Sequence, residues 1–193
     1  AQLAALLQSK QPQLFNYLLD LRIKKQASAL IKSNQLLVHS SGMISSDNLS
    51  TTIVGVIGVS ADRPDNFVVF DLRYSPEAWL NLDAKSLETA AFGSLEEREK
   101  AGLERLPVKN IQANRCPAVA PLGVLDPASE KRIGLKVADA QKNWQLLLSN
   151  SNWTKQILEL MTRLPSSSSS DPENDIYGGF LQNADKKLGQ RVN

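Results

Sequence analysis

The segment TTIVGVIGVSADRPDNFVVFD (51–71) decides the fold class of this chain. Its two ends, Thr51–Val59 and Phe67–Asp71, are rich in β-branched and aromatic residues, which favour extended strands. Between them, the polar cluster DRPDN (62–66) is typical of a turn. The segment therefore predicts a β-hairpin.

Further strand-like runs lie on both sides of the hairpin. Gln35–Ser40 precedes it, and Val108–Ala113 and Ala118–Val119 follow it. Between these groups, the spacing of apolar residues predicts short helices over Pro76–Leu82 and Leu95–Glu104. Several short strands with small helical insertions indicate either a partly open β-barrel or a compact α+β domain.

Both ends of the chain have helical periodicity. Pro12 occupies a first-turn position, and the apolar residues after it recur at helical spacing, namely Leu14, Phe15, Leu18, Leu19 and Ile23. The helical period returns from Asp139 and continues in a second helix capped at Ser151 or Asn152. A serine-rich stretch with prolines at 165–172 predicts a flexible linker.

The composition excludes several classes of protein. The chain has 193 residues, of which 42% are hydrophobic and 22% charged, as in a folded domain. Its single cysteine, Cys116, excludes an internal disulfide and a multi-cysteine zinc site and favours the reducing cytoplasm. No apolar run approaches the roughly 20 residues that span a bilayer, so we expect no membrane association. With one histidine as well, a self-contained hydrolase or metalloenzyme is disfavoured.

No local motif supports catalysis. His39 ends the apolar run LLVHS, where a histidine is more often structural than a member of a catalytic triad. Cys116 precedes a proline and is interpreted as a small packing residue. The glycines of VGVIGVS (54–60) are not followed by a helix, as a phosphate-binding loop requires, and the carboxylate pair of DPE (171–173) lies in the predicted linker. We therefore expect no catalytic and no metal-binding residue here.

The net charge of +2 conceals a division along the chain. Residues 1–32 hold five basic side chains and one acidic, residues 62–104 hold ten acidic and five basic, and residues 105–163 hold nine basic and four acidic. Two basic stretches around an acidic one favour a surface that attracts a phosphate backbone. The alternative is that these lysines and arginines only solvate helices.

A groove for single-stranded nucleic acid combines basic side chains that follow phosphates with rings that stack on bases. Trp144 and Trp153 lie on apolar helical stripes and are interpreted as core rather than as stacking rings. Tyr177 and Phe180, beside two glycines, either stack on bases or anchor a helix. The candidate DNA-binding residues are Lys24, Lys25, Lys32, Lys109, Arg115, Arg132, Lys136, Lys142, Tyr177 and Phe180.

Four segments together resemble bacterial exodeoxyribonuclease I, in the order and with the approximate spacing of that family. They are KQPQLFNYLLDLR (10–22), LVHSSGM (37–43), PVKNIQANRCPAVAP (107–121) and IYGGFLQNADK (176–186). The resemblance implies an α+β chain with an SH3-like, partly open β-barrel, flanking helices and a truncated helical extension. It also implies 3′-to-5′ exonuclease activity on single-stranded DNA for the full-length enzyme.

The resemblance divides the chain into three parts. Residues 1–10 correspond to the end of a nuclease-domain helix, 11–150 to the SH3-like domain, and 151–193 to the start of the helical domain. The carboxylates that bind Mg²⁺ and the general-base histidine of the family lie upstream of Ala1. The resemblance therefore implies a segment without cofactor that forms part of the DNA channel and does not cleave.

The resemblance also implies an alternative role, docking of the acidic C-terminal tail of single-stranded-DNA-binding protein. Two arginines of the family's pocket fall on Asp126 and Val137 of this chain, with basic residues close by. The candidate tail-binding residues are Tyr17, Arg22, Lys25, Arg132 and Lys136. For either role we expect a monomer.

Overall fold

The centre of the fold is one antiparallel sheet of five strands in the order β4-β3-β2-β1-β5. The structure is a computed structural model that describes residues 2–163. The strands are β1 (Leu36–Ser40), β2 (Thr51–Val59), β3 (Asn66–Asp71), β4 (Val108–Gln112) and β5 (Ala118–Pro121). The predicted hairpin is confirmed, because β2 and β3 pair from Val54↔Asp71 to Val59↔Phe67 with an irregularity between Val56 and Gly58.

The described part of the chain also contains nine α-helices. They are α1 (Gln2–Lys10), α2 (Pro12–Asp20), α3 (Lys24–Ser33), α4 (Glu77–Leu80), α5 (Ala84–Phe92), α6 (Leu95–Ala101), α7 (Pro127–Ile133), α8 (Val137–Ser149) and α9 (Ser151–Thr162).

The sequence interpretation missed α5 and α7. Both begin at an aspartate whose side chain accepts a hydrogen bond from a backbone N–H three residues later, Asp83 from Ser86 and Asp126 from Ser129, each at 2.7 Å.

The two faces of the sheet carry separate apolar clusters. On one face, Ala27 and Ile31 of α3 pack with Leu37, Val54 and other side chains of the strands, and Tyr17 and Leu18 of α2 lie against this cluster. The opposite cluster joins Ile53, Val68 and Phe70 of the sheet with buried residues of α4, α5, α8 and α9. The sheet is therefore the middle of three layers, as expected for an α+β chain that buries both faces of its strands.

Two glycines of β2 let helices approach the sheet closely. A Cβ atom at Gly55 would overlap the ring of Trp144 on α8, and one at Gly58 would lie 2.9 Å from Cδ2 of Leu158 on α9. Any larger side chain would hold these helices away from the strand. The glycines of VGVIGVS thus serve packing between helix and sheet.

Trp144 and Trp153 are core residues, as interpreted from their helical stripes. Each is 5% exposed. The indole N–H of Trp153 donates to the carbonyl oxygen of Trp79 at 3.0 Å, and the Trp153 ring meets Phe70 edge-on with centroids 6.0 Å apart. Neither tryptophan is available to stack on a base.

Helix α9 shares the core of the sheet. Trp153, Ile157 and Met161 of α9 lie in the same cluster as Trp144 and Leu147 of α8, and the described residues through Thr162 form one compact unit. The predicted boundary between 150 and 151 therefore separates two helices that pack on one core. Tyr177, Phe180, the carboxylate pair of 171–173 and the linker predicted at 165–172 lie outside the described residues. Within residues 2–163, no helix has the length and apolar character needed to cross a membrane.

Candidate nucleic-acid interface

Four polar side chains cluster at one end of a single sheet face. His39 lies opposite Thr52, Val54 opposite Asp71, and Val69 opposite Lys109. Because side chains alternate between faces along each strand, His39, Thr52, Asp71 and Lys109 share the face on which α3 packs. Helix α3 covers only the apolar part of that face, so the polar end is the floor of a cleft.

Asp71 and Arg73 form a fixed ion pair in this cleft. The Asp71 carboxylate accepts hydrogen bonds from the Thr52 hydroxyl at 2.5 Å and from the Arg73 backbone N–H at 3.1 Å, and the Arg73 guanidinium lies 2.6 Å from it. A second guanidinium nitrogen donates to Oδ1 of Asn48 at 2.8 Å. Hydrogen bonding to Asp71 raises the pKa of Arg73. The pair therefore holds the guanidinium in place and cancels the buried carboxylate charge.

His39 is a neutral, buried side chain. It is 7% exposed, and burial, followed by the charge of Lys109, lowers its pKa to about 4. Its Nδ1 lies 3.1 Å from the carbonyl oxygen of Ala118, and since that oxygen can only accept, Nδ1 carries the proton. A catalytic triad would pair this nitrogen with a carboxylate instead. The geometry gives His39 a supporting role in the floor of the cleft.

Lys109 is half-buried in the same floor, and burial lowers its pKa to about 8. The cleft has a volume of about 520 Å³ and is also lined by Arg73, Arg105 and Tyr74. The Arg73 guanidinium lies over the Tyr74 ring, 5.4 Å from its centroid. Cationic side chains and an aromatic ring therefore meet in one concave site.

The predicted residues of α3 lie on the surface of the helix that covers this face. The ammonium of Lys24 forms an ion pair with Asp65 at 3.1 Å. Lys25 and Lys32 are exposed. Arg115 is also exposed, in a short turn, Ala113–Arg115, that contacts α3. None of these four residues lines the cleft.

The other predicted basic residues lie on α7 and α8. Arg132 is exposed near the end of α7, and Lys136 directly precedes α8 beside Ile53 and Ala140 of the opposite core cluster. Lys142 is exposed on α8. Of the predicted DNA-binding residues within 2–163, Lys109 is the one that lines the cleft.

The candidate tail-binding residues are divided between two layers. Tyr17 is half-buried against the α3 cluster, its hydroxyl donates to the carbonyl oxygen of Val119 at 2.8 Å, and burial raises its pKa. Arg22 and Lys25 are exposed close to it in sequence, between α2 and the first turn of α3. Lys136 lies on the opposite side of the sheet.

Sequence reasoning did not select Arg73, Tyr74 or Arg105. Each lies next to a strand end, Arg73 and Tyr74 just after β3 and Arg105 shortly before β4. In an antiparallel pair, the end of one strand lies beside the start of the other, as the end of β3 lies beside the start of β4. Pairing the two predicted strands in this way would have indicated that the three residues lie close together. Among residues 2–163, no group of three or more potential ligands for a metal ion is present.

Comparison with known proteins places these features in a family. The family model of the exonuclease I SH3-like domain matches residues 22–163. The exodeoxyribonuclease I of Haemophilus influenzae is 28% identical over 187 residues, which make up 95% of this chain and 40% of that protein. The chain thus spans about two fifths of the length of this curated relative.

Solved structures have the same fold. Exonuclease I from Methylocaldum szegediense matches with a TM-score of 0.80 and 27% identity over 99% of this chain and 40% of its own. The Escherichia coli enzyme in complex with a dT13 oligonucleotide matches with a TM-score of 0.82 and 25% identity over 99% of this chain and 40% of its own. The predicted fold class and the resemblance are both confirmed, and since the family model covers most of the sequence, this chain belongs to the exonuclease I SH3-like domain family.

Proposed function

We propose that this chain is a non-catalytic segment of an exodeoxyribonuclease I, a 3′-to-5′ exonuclease, and that it forms part of the single-stranded DNA channel. The observation that carries the proposal is the match over 99% of the chain to an exonuclease I solved with a dT13 oligonucleotide. The concave cluster of Arg73, Arg105 and Lys109 supports it, since phosphates are bound by such groups.

Hydrolysis is assigned to another part of the longer protein. In residues 2–163 the single histidine is neutral and bonded to a backbone carbonyl, and no group of ligands for a metal ion is present. The family resemblance supports Mg²⁺ as the metal of the full-length enzyme. When bound there, it would stabilise the charge that develops on the phosphate during cleavage.

Binding is tested by fluorescence anisotropy of a labelled dT13 oligonucleotide titrated with the 193-residue chain at several NaCl concentrations. Each neutralised phosphate of a single strand contributes about −0.7 to the slope of log affinity against log salt. With two or three contacts in the cleft, we expect a slope of about −1.4 to −2.1. Absence of binding at low salt, or affinity that does not change with salt, would refute the DNA-binding role.

A cleavage assay tests the non-catalytic assignment. The chain is incubated with 5′-labelled dT13 and Mg²⁺, and the products are separated on a denaturing gel. We expect intact oligonucleotide, because residues 2–163 contain no group of three or more side chains that could hold a metal ion. Stepwise shortening from the 3′ end, which persists in a preparation purified by a second route, would overturn the assignment.

A second role is docking of the acidic tail of single-stranded-DNA-binding protein at the α2–α3 corner. The exposed Arg22 and Lys25 beside the half-buried ring of Tyr17 favour this role, because a basic pocket with an apolar wall suits an acidic peptide. Titration with a labelled tail peptide should show weaker binding to Tyr17→Ala and Lys25→Ala. If both variants bind peptide normally but bind DNA weakly, docking at this corner is wrong.

We also propose that the protein is a monomer and acts in the cytoplasm. The single cysteine, which is exposed, supports a reducing compartment. Sedimentation velocity across a range of concentrations tests the first point, and a concentration-dependent rise in mass would contradict it.

A further inference from the structure

We propose that the cleft binds one nucleotide unit of the strand, with Lys109 and Arg105 on a phosphate and the Tyr74 ring stacked on the adjoining base. The inference rests on the proposed DNA-binding function and assigns it to a particular surface. It replaces most of the basic residues selected from sequence with a site built by the ends of β3 and β4.

The charges of the cleft leave two cations for a ligand. Arg73 is held by Asp71 and Asn48, so that its charge is already balanced. His39 is neutral at physiological pH. Among residues 2–163, no carboxylate lies within ion-pair distance of Lys109 or Arg105, although Glu104 also lines the cleft. The part of the cleft that is lined by Lys109 and Arg105 is therefore positively charged, which favours binding of a phosphate.

Tyr74 supplies a platform for stacking. The Arg73 guanidinium lies over the ring, and Asp71 and Asn48 fix that guanidinium, so the ring has a fixed support. Tyr74 nevertheless remains 45% exposed, and Met43, 87% exposed, lies on the same rim. Stacking on an aromatic ring is worth about 1–3 kcal/mol per base and accepts any base.

The other basic residues selected from the sequence do not combine cations that lack an ion-pair partner with an exposed aromatic ring in one cleft. Lys24 is paired with Asp65, and Lys25 and Lys32 lie on an exposed helix surface. Near α8, a smaller hollow of about 180 Å³ contains Lys136, but Asp139 lies in it as well. Asp139 also lines the hollow beside Lys142. With the Asp71–Arg73 pair set aside, the cleft has two cations, Lys109 and Arg105, and one carboxylate, Glu104. The hollow beside Lys136 has one cation and one carboxylate, and the hollow beside Lys142 has one cation and two carboxylates, Glu77 and Asp139. The cleft is therefore the most favourable of the three for a phosphate.

The site should respond to pH. Lys109, which faces His39, Asp71, Arg73, Glu104 and Arg105 in the cleft, has a pKa of about 8. The ammonium is mostly charged at pH 7 and mostly neutral at pH 9. A hydrogen bond to a charged group contributes about 1.5–3 kcal/mol, so we expect dT13 affinity to fall about tenfold over this range.

The test compares variants by anisotropy with labelled dT13 at pH 7 and pH 9. Lys109→Gln and Arg105→Gln should each weaken binding about tenfold and make the salt slope less negative by about 0.7. Tyr74→Ala should weaken binding about tenfold at an unchanged slope. The affinity of Lys109→Gln for dT13 should also be the same at pH 7 and pH 9, because the titrating ammonium is absent. The matched control is Lys85→Gln, an exposed lysine of α5, which should bind as the wild type does.

The outcomes separate this inference from the function on which it rests. If the wild type binds dT13 and both Lys109→Gln and Arg105→Gln bind equally well, the cleft assignment is wrong while the DNA-binding function stands. If the wild type does not bind dT13, the proposed function fails. Because Arg105 is exposed, Arg105→Gln remains informative even if Lys109→Gln is less stable. Binding of an acidic peptide in the cleft that leaves dT13 affinity unchanged would also overturn the inference.

Discussion

His39 links the stability of the fold to pH. Burial lowers its folded-state pKa to about 4, below the ordinary value of 6.5, so between these values the unfolded chain binds more protons than the folded chain. Stability therefore falls as the pH drops from 6.5 towards 4. We expect titration of His39 to lower the free energy of unfolding by about 2 kcal/mol when the pH is reduced from 7 to 5, as measured by urea denaturation.

A variant separates this effect from general acid destabilisation. His39→Gln has no titrating side chain at this position, so its stability should fall less than that of the wild type between pH 7 and pH 5. Equal losses in the two proteins would show that the His39 pKa is not depressed by folding.

The environment of His39 could be predicted from its sequence context alone. The position of His39 at the end of an apolar strand correctly indicated a structural environment, because such a run is buried on pairing. The partners of Arg73 were not predictable in this way. Asp71 is two residues away, but Asn48 comes from the loop between β1 and β2, and Asn48 in turn donates to the carbonyl oxygen of Ile133.

At the scale of elements, Gly55 controls how closely α8 packs on β2. Gly55→Ala places a methyl group within the space of the Trp144 ring, so helix and strand must separate. Overpacking of a core costs about 1–3 kcal/mol, and we expect a value in the upper part of that range by chemical denaturation. The matched control is Gly42→Ala, since a Cβ atom there meets no atom within 4 Å. If the two variants were equally stable, the close approach of α8 would be disproved.

Strands were predicted more accurately than helices for a physical reason. The runs of β2 and β3 are apolar throughout because both faces of the sheet are covered, which produces a strong signal. Helices α5 and α7 are short and bury few residues fully, Leu87 and Ala90 in α5 and Ile133 in α7, so the signal lies in their caps rather than in their apolar spacing. The cleft was missed because it forms only when the ends of β3 and β4 are brought side by side.

In the folded unit, the acidic and basic stretches of the sequence are distributed over different surfaces. The acidic stretch 62–104 includes α4, α5 and α6, and α4 and α5 pack on the sheet face opposite α3. The cleft opens on the α3 face and takes Arg73 from the acidic stretch and Arg105 and Lys109 from the basic one. Local charge in the fold therefore differs from charge along the sequence, which explains why most basic residues selected from the sequence lie outside the cleft.

The most direct test of the account is a two-dimensional amide NMR titration of the ¹⁵N-labelled chain with dT13. It reports where the strand binds without altering any residue. We predict that chemical-shift changes concentrate in the segments that form the cleft, 41–44, 71–74 and 104–110, and diminish as NaCl is raised. Changes confined to α8 and α9, or no changes at low salt, would contradict the claim that this cleft binds single-stranded DNA.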